Sequence, residues 1–207
     1  MGRPVYALVL AAGRSTRMGG RPKLLLPYGD TTVLGRVLDV LGRAPVDRTY
    51  VVVGAWREEI EPVVRKSGAE VVFNPVFDRG MLSSVQAGFL ALPPGPGAVF
   101  VVPGDHPDLT PDVYRRLLDA RKVAGAGLVL PQFGDRGGHP LLVDLRFRDE
   151  IKCLDPETGL RGLLDRHPRA VRRVPLEEPG VLLDLDTPEE YRRARLKNGK
   201  KARPDGV

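Results

Sequence analysis

The chain alternates short, continuously apolar runs with longer stretches whose apolar residues recur at helical spacing, and this commits it to βα units around a largely parallel sheet. The clearest run, Val5-Tyr6-Ala7-Leu8-Val9-Leu10-Ala11-Ala12, lacks a polar face, as a strand covered by helices on both sides requires. Thr49–Val53, Glu70–Phe73 and Ala98–Val102 read as further strands, Leu128–Leu130 and Leu141–Leu145 as two more around a glycine-rich loop, and Val181–Leu185 as the last. Between them, Val33, Leu34, Val37, Leu38 and Leu41 mark a helix with Thr31 or Thr32 as N-cap. Glu58–Lys66 reads as a second helix, and Leu82–Leu92 as a third, stopped by Pro93-Pro94-Gly95-Pro96-Gly97. Thr110 caps a fourth helix that runs to about Lys122 with Pro111 in its first position, and Thr187-Pro188-Glu189-Glu190 opens the final one. Residues 146–175 show no clear period. The expectation is one α/β domain over residues 1–196, followed by a basic tail, 197–207.

A chain of 207 residues buries roughly 70% of its unfolded surface, so this core needs no disulfide or metal staple. Its 42% hydrophobic and 28% charged residues exclude a disordered or collagen-like chain despite 24 Gly and 20 Pro. The lone cysteine, Cys153, has no partner for an internal disulfide, which points to a reducing, cytoplasmic setting. The net charge of +6 has an address: seven of the 32 basic and one of the 26 acidic residues fall after position 191, leaving the rest formally neutral. A solvated terminus accounts for that charge, with an anionic partner as the alternative and no basic face for nucleic acid. No apolar run reaches the roughly 18 residues a membrane span needs, and Val5–Ala12 runs into Arg14 and Arg17 rather than a signal-cleavage site.

Ligands of open α/β sheets bind beyond the carboxyl ends of the strands, and the informative loops of this sequence fall there. The first is Gly13-Arg14-Ser15-Thr16-Arg17-Met18-Gly19-Gly20-Arg21-Pro22-Lys23. Its glycines and small polar residues let backbone N–H groups wrap phosphate oxygens, while Arg17 and Lys23 add fixed positive charge suited to a triphosphate. It is neither of two common phosphate loops. A Walker A loop needs a second glycine where Met18 stands, and the dinucleotide fingerprint needs one where Ser15 stands. Asp105, after the Ala98–Val102 strand, is placed to hold Mg²⁺ or to serve as a turn residue. Asp186 and Asp184, two apart on one face of the last strand, are candidates for a second carboxylate, although Asp186-Thr187-Pro188 is also an ordinary helix start. Ser83 and Ser84 open the third helix, as ligand contacts or as caps. His139 sits among glycines, away from any apolar face, whereas Trp56 and Phe77 read as packing residues. His167 and Cys153 receive no role.

Leu10-Ala11-Ala12-Gly13-x-Ser15-x-Arg17-Met18-Gly19, closed by Pro22-Lys23, resembles the signature of nucleotidyltransferases that activate small phosphorylated compounds with NTP. Four further stretches resemble the branch of molybdenum cofactor cytidylyltransferase and its relatives, which include the molybdopterin-guanine-dinucleotide synthases. They are Asn74-Pro75-x-Phe77-x-x-Gly80-Met81-x-x-Ser84, Gly104-Asp105-His106-Pro107, Gly138-His139-Pro140 and Asp184-Leu185-Asp186-Thr187-Pro188-Glu189-Glu190. The resemblance spans residues 5–191 and implies a three-layer, Rossmann-like nucleotidyltransferase fold with a mostly parallel central sheet. It also implies nucleotide contacts from Leu10, Ala11, Ala12, Gly13, Arg14, Ser15, Lys23, Gly80 and Ser84. Arg17, Lys23 and Asp105 take the catalytic roles, with Mg²⁺ on Asp105 and Asp186, and His106 and His139 meet the acceptor. His106 stands where the family often has Gln, and Gly159-Leu160-Arg161 only loosely resembles the family's Gly-Ala-Arg.

The reaction so implied is transfer of CMP from CTP to the terminal phosphate of molybdopterin or the molybdenum cofactor, with release of pyrophosphate and hand-over of the product to a molybdoenzyme. Three enzymatic rivals share the first loop: a guanylyltransferase using GTP on the same cofactor, a cytidylyltransferase for a sugar or polyol phosphate, and a relative with another acceptor. Guanylyl relatives tend to read Ala-Gly-Gly where this chain has Ala11-Ala12-Gly13, which favours CTP. A non-catalytic protein that delivers the cofactor is the rival from another class.

Overall fold

The structure, a computed structural model, describes residues 2–18 and 21–201, with the side chains of Arg17 and residues 197–201 excepted. Its strands are β1 (Val5–Ala11), β2 (Pro27–Tyr28), β3 (Thr31–Thr32), β4 (Arg48–Val53), β5 (Glu70–Phe73), β6 (Ala98–Pro103), β7 (Leu128–Phe133), β8 (Arg136–Gly137), β9 (Leu141–Asp144) and β10 (Val171–Pro175). Its helices are α1 (Val33–Leu41), α2 (Arg57–Lys66), α3 (Met81–Ala91), α4 (Pro111–Arg121), α5 (Arg148–Lys152), α6 (Gly159–Arg166) and α7 (Pro188–Lys201).

The main sheet runs β10-β7-β9-β6-β1-β4-β5, with β8 paired to β7 and the β2–β3 hairpin forming a separate ribbon. β1 lies parallel between β4 and β6, β5 parallel beside β4, and β10 parallel beside β7. β9 alone in the seven-strand path is antiparallel to both neighbours, β6 and β7. The expected mostly parallel, three-layer, Rossmann-like arrangement is therefore present. Side-chain alternation along β1 builds the two faces: Ala7, Val9 and Ala11 join the core under α1, α2 and α4, while Tyr6 and Leu8 join the core under α3, α5 and α6. Both faces being covered is why β1, β6 and the Tyr50–Val53 part of β4 read as unbroken apolar runs.

The sequence-derived elements shift by a residue or two at most for α1 to α4 and for β1, β4, β5 and β6, whereas the short β2–β3 hairpin was not anticipated. Thr32 is the α1 cap, accepting from the Gly35 N–H at 3.0 Å. Thr110 stands at the N-cap of α4, but its hydroxyl donates to Glu178 at 3.0 Å and makes no cap bond. Val181–Leu185 is a correction: no strand forms there, and Pro179–Leu182 makes a 3₁₀ turn instead. Val181 and Leu185 are still buried, because this segment folds under the β8–β9 loop, where the His139 N–H donates to the Val181 carbonyl at 2.8 Å in place of a ladder. Residues 146–175 resolve into α5, α6 and β10 with 3₁₀ turns at Leu145–Phe147 and Pro168–Ala170, pieces too short to show a period. Residues 202–207 of the expected tail lie outside the described residues. Among the described residues no helix is long and apolar enough to cross a membrane.

Candidate active site

Parallel pairing of β1 with β6 aligns their carboxyl ends, and the loops that leave them frame a cavity of about 390 Å³. Leu10, Ala11, Ala12, Gly13 and Ser15 wall it from the β1 loop, Gly80, Met81 and Ser84 from the start of α3, Pro103 and Asp105 from the end of β6, and Asp186 from the approach to α7. Two glycines let these loops close on one another. A Cβ on Gly104 would lie 2.8 Å from the Leu10 carbonyl oxygen, and one on Gly54 would lie 2.7 Å from that of Ala12.

Lys23 is the centre of the site. Its ammonium donates to Asp105 Oδ2 at 2.6 Å and to Asp186 Oδ1 at 2.8 Å, so residues 82 and 163 positions away meet on one nitrogen. The Lys23 and Asp105 side chains are only 17% and 16% exposed and that of Asp186 35%, so this ion pair is shielded in a way that surface pairs are not. Burial pulls against ionisation of Lys23, but the charges of Asp105 and Asp186 and their hydrogen bonds outweigh it and hold the ammonium pKa above its ordinary value. Burial likewise pushes the Asp105 carboxyl up. The hydrogen bond from His106 and the Lys23 charge outweigh burial, and the carboxylate is held well below its usual range. Asp186 is set by a reciprocal cap on α7: Glu190 accepts from the Asp186 N–H at 3.0 Å and the Thr187 N–H at 2.8 Å, and the Glu190 N–H donates back to the Thr187 hydroxyl at 3.2 Å. Asp184 is exposed. Without a strand in this segment, the two-residue spacing that made Asp184 equivalent to Asp186 loses its basis.

Two details of the β1 loop were not legible in the sequence. Ser15 adopts φ +55°, an uncommon conformation for a non-glycine residue, and its hydroxyl accepts from the Lys23 N–H at 3.2 Å, which folds the loop back on its own end. Arg14 does not wall the cavity; it forms a two-point pair with Asp78 at 2.7 and 2.8 Å and lies over the Phe77 ring. Phe77, read from sequence as packing, lines the cavity as well. The Arg17 side chain, Gly19 and Gly20 lie outside the described residues. At α3, the Asn74 side-chain amide donates to the hydroxyls of both Ser83 (2.9 Å) and Ser84 (3.1 Å), and Ser83 donates to the Gly80 carbonyl at 2.8 Å. Ser83 therefore secures the helix start, and Ser84 faces the cavity.

Neither His106 nor His139, the two expected acceptor contacts, is among the residues that wall this cavity. His106 is 4% exposed, and its Nδ1 lies 3.1 Å from Asp105 Oδ1. The His139 ring meets it edge-on at 5.1 Å, and among the described residues His139 Nδ1 is buried with no hydrogen-bond partner. The glycines that made His139 look accessible instead let its loop pack under Val181. Burial first, and then the neighbouring His106, push His139 down to about 4, with Asp105 opposing. The ordinary value, which the unfolded chain keeps, is about 6.5, so the unfolded state takes up the proton first as pH falls and stability drops between pH 6.5 and 4. From pH 7 to pH 5 this group should cost about 1–2 kcal/mol, read as a fall of several degrees in thermal midpoint. His139→Gln should flatten that slope; an unchanged slope would reject this assignment.

Asp105 and Asp186 offer hard oxygen donors at one point, the kind of pair that holds Mg²⁺ or Mn²⁺ when substrate phosphates and water complete the shell. Among the described residues there is no group of three or more His, Cys, Asp or Glu placed to hold a metal ion.

Residues 7–171 match the family described as the MobA-like NTP transferase domain. The chain is 29% identical over 191 residues to the molybdenum cofactor cytidylyltransferase of Escherichia coli K12, covering 90% of this chain and 93% of that protein. It is 26% identical over 196 residues to the nicotine blue oxidoreductase of Paenarthrobacter nicotinovorans, covering 91% and 95%. Among solved structures, Rv0371c from Mycobacterium tuberculosis H37Rv superposes with a TM-score of 0.83 at 31% identity over 95% of this chain and 99% of that one, and the same protein has been solved with manganese.

Proposed function

Because the chain belongs to the MobA-like NTP transferase domain family and is thus a nucleotidyltransferase, we propose that it transfers CMP from CTP to the terminal phosphate of molybdopterin or the molybdenum cofactor. The observation that carries this reading is the meeting of Lys23, Asp105 and Asp186 on one wall of a cavity whose other wall is the glycine-containing β1 loop. The similarity to a protein named molybdenum cofactor cytidylyltransferase, together with Ala11-Ala12-Gly13, supports CTP over GTP.

In this reading the acceptor phosphate attacks the α-phosphorus in line and pyrophosphate leaves, with no side chain acting as nucleophile. Backbone N–H groups of Ala12 to Ser15 and the start of α3, with Gly80 and Ser84, hold the nucleotide. Lys23 and Arg17 stabilise the charge that gathers on the departing pyrophosphate. Asp105 and Asp186 hold Mg²⁺, which when bound neutralises phosphate charge. The product goes on to a molybdoenzyme.

A second reading comes from the near full-length similarity to a protein named as an oxidoreductase, which suggests that this scaffold has been turned to other chemistry. Nucleotide binding separates the two. By calorimetry with Mg²⁺ present, CTP should bind at least tenfold tighter than GTP, and chelation should abolish binding. Tighter GTP binding would transfer the assignment to a guanylyltransferase, and binding of neither triphosphate would remove the nucleotidyltransferase reaction itself.

A further inference from the structure

We propose that His106 is a positioning residue: its Nδ1–H fixes the Asp105 carboxylate so that its other oxygen meets Lys23, and it touches neither nucleotide nor acceptor. The inference rests on the reading of Asp105 as a cation ligand, and it goes further by saying what aims that ligand.

An ionised carboxylate only accepts hydrogen bonds, so the 3.1 Å contact between His106 Nδ1 and Asp105 Oδ1 requires the proton on Nδ1. That bond occupies Oδ1 and leaves Oδ2 to meet Lys23 at 2.6 Å. Swapping the two oxygens would change nothing, but tilting the carboxylate would break both contacts at once. The imidazole cannot itself tilt freely, because it is 4% exposed and packs in a T-shaped contact with the His139 ring, centroids 5.1 Å apart. Asp105 lies two residues past the end of β6, next to Gly104, whose N–H donates to the Leu10 carbonyl at 3.0 Å, so its main chain is fixed as well. With the backbone held on one side and His106 on the other, the carboxylate has one orientation, and that orientation points into the cavity. Partners of this kind change metal affinity or activity by roughly 10–100-fold when removed.

The test compares His106→Leu, which keeps bulk and loses the donor, with His106→Asn, whose amide N–H replaces Nδ1–H at similar reach. Asp105→Asn serves as the control for the reading underneath. Two quantities are measured on the full chain: Mn²⁺ affinity by electron paramagnetic resonance with CTP present, and kcat and acceptor KM with the molybdenum cofactor. His106→Leu should weaken Mn²⁺ binding and lower kcat by roughly 10–100-fold, with acceptor KM within about twofold, and His106→Asn should recover most of both. A raised acceptor KM with unchanged kcat and Mn²⁺ affinity would overturn the inference in favour of an acceptor contact. Unchanged Mn²⁺ affinity in His106→Leu, with binding lost in Asp105→Asn, would overturn the inference alone. Mn²⁺ binding that survives Asp105→Asn would overturn both. If His106→Leu does not fold, His106→Asn decides: retained Mn²⁺ affinity supports the inference, and loss as deep as in Asp105→Asn rejects it.

Discussion

Lys23→Ala should lower turnover at least a hundredfold while leaving the circular dichroism spectrum unchanged. An ammonium carries three donors, and Asp105 and Asp186 take two of them at 2.6 and 2.8 Å, so the group sits on the cavity wall with capacity for an anion. Its stem is buried and its charge is stabilised by two carboxylates, so it remains cationic across any working pH. In a shielded site a fixed charge aimed where negative charge develops accounts for about 3–4 kcal/mol of barrier, which is the hundredfold and more expected here. The loss should fall on kcat more than on KM for CTP, because the charge it meets grows as pyrophosphate departs. Lys23→Arg tests geometry separately from charge: a planar guanidinium cannot take the place of a point ammonium between two carboxylates, and it should restore less than a tenth of the activity. Near wild-type turnover in Lys23→Ala would reject the role.

Asp105→Asn should cost as much, and more than Asp186→Asn. Asparagine keeps the shape and the hydrogen-bonding span but removes the negative charge, so the fold and the Gly104–Leu10 contact should persist. The two carboxylates differ in setting. Asp105 is 16% exposed and held between His106 and Lys23, whereas Asp186 is 35% exposed. A cation held in the drier place depends more on that ligand, so losses of at least a hundredfold for Asp105→Asn and about tenfold for Asp186→Asn are expected at saturating Mg²⁺. Raising Mg²⁺ should recover part of the Asp186→Asn loss and little of the other. The reverse ranking, measured as initial rates across a Mg²⁺ titration, would exchange the two roles.

How much of this was legible in the sequence depends on what each residue leans on. β1, β6 and the Tyr50–Val53 part of β4 announce themselves because strand residues buried on both faces must be apolar, and α1 because Val33 to Leu41 repeat at helical spacing. Lys23 and Asp105 were legible because the loops after β1 and β6 leave the carboxyl edge of the sheet, where ligands of such sheets bind, whereas Asp186 was singled out over Asp184 only by the family resemblance. Other features depend on contacts between distant segments. Val181–Leu185 is apolar because it packs beneath a loop, and apolarity alone cannot separate that from a strand. Arg14 was implied as a nucleotide contact, and its pairing with Asp78, 64 residues on, could not be read from the loop alone. His106 and His139 were named as a pair, but a residue just past a strand end points inward or outward according to the turn, and composition does not record the turn. One signal was only half read: Thr187-Pro188-Glu189-Glu190 reads as a helix start, and it also fits the Ser/Thr-x-x-Glu pattern whose reciprocal cap sets Asp186.

The central claim is nucleotidyl transfer from CTP to the molybdenum cofactor at Lys23, Asp105 and Asp186. It is tested most directly by pyrophosphate release with Mg²⁺ and the cofactor present, comparing CTP with GTP at equal concentration and omitting the acceptor as control. Release with CTP that requires the acceptor, with GTP at a tenth of that rate or less, is the predicted result. Acceptor-dependent release with GTP alone would overturn the base assignment, and no release with either nucleotide, in protein shown to bind one of them, would contradict the account itself.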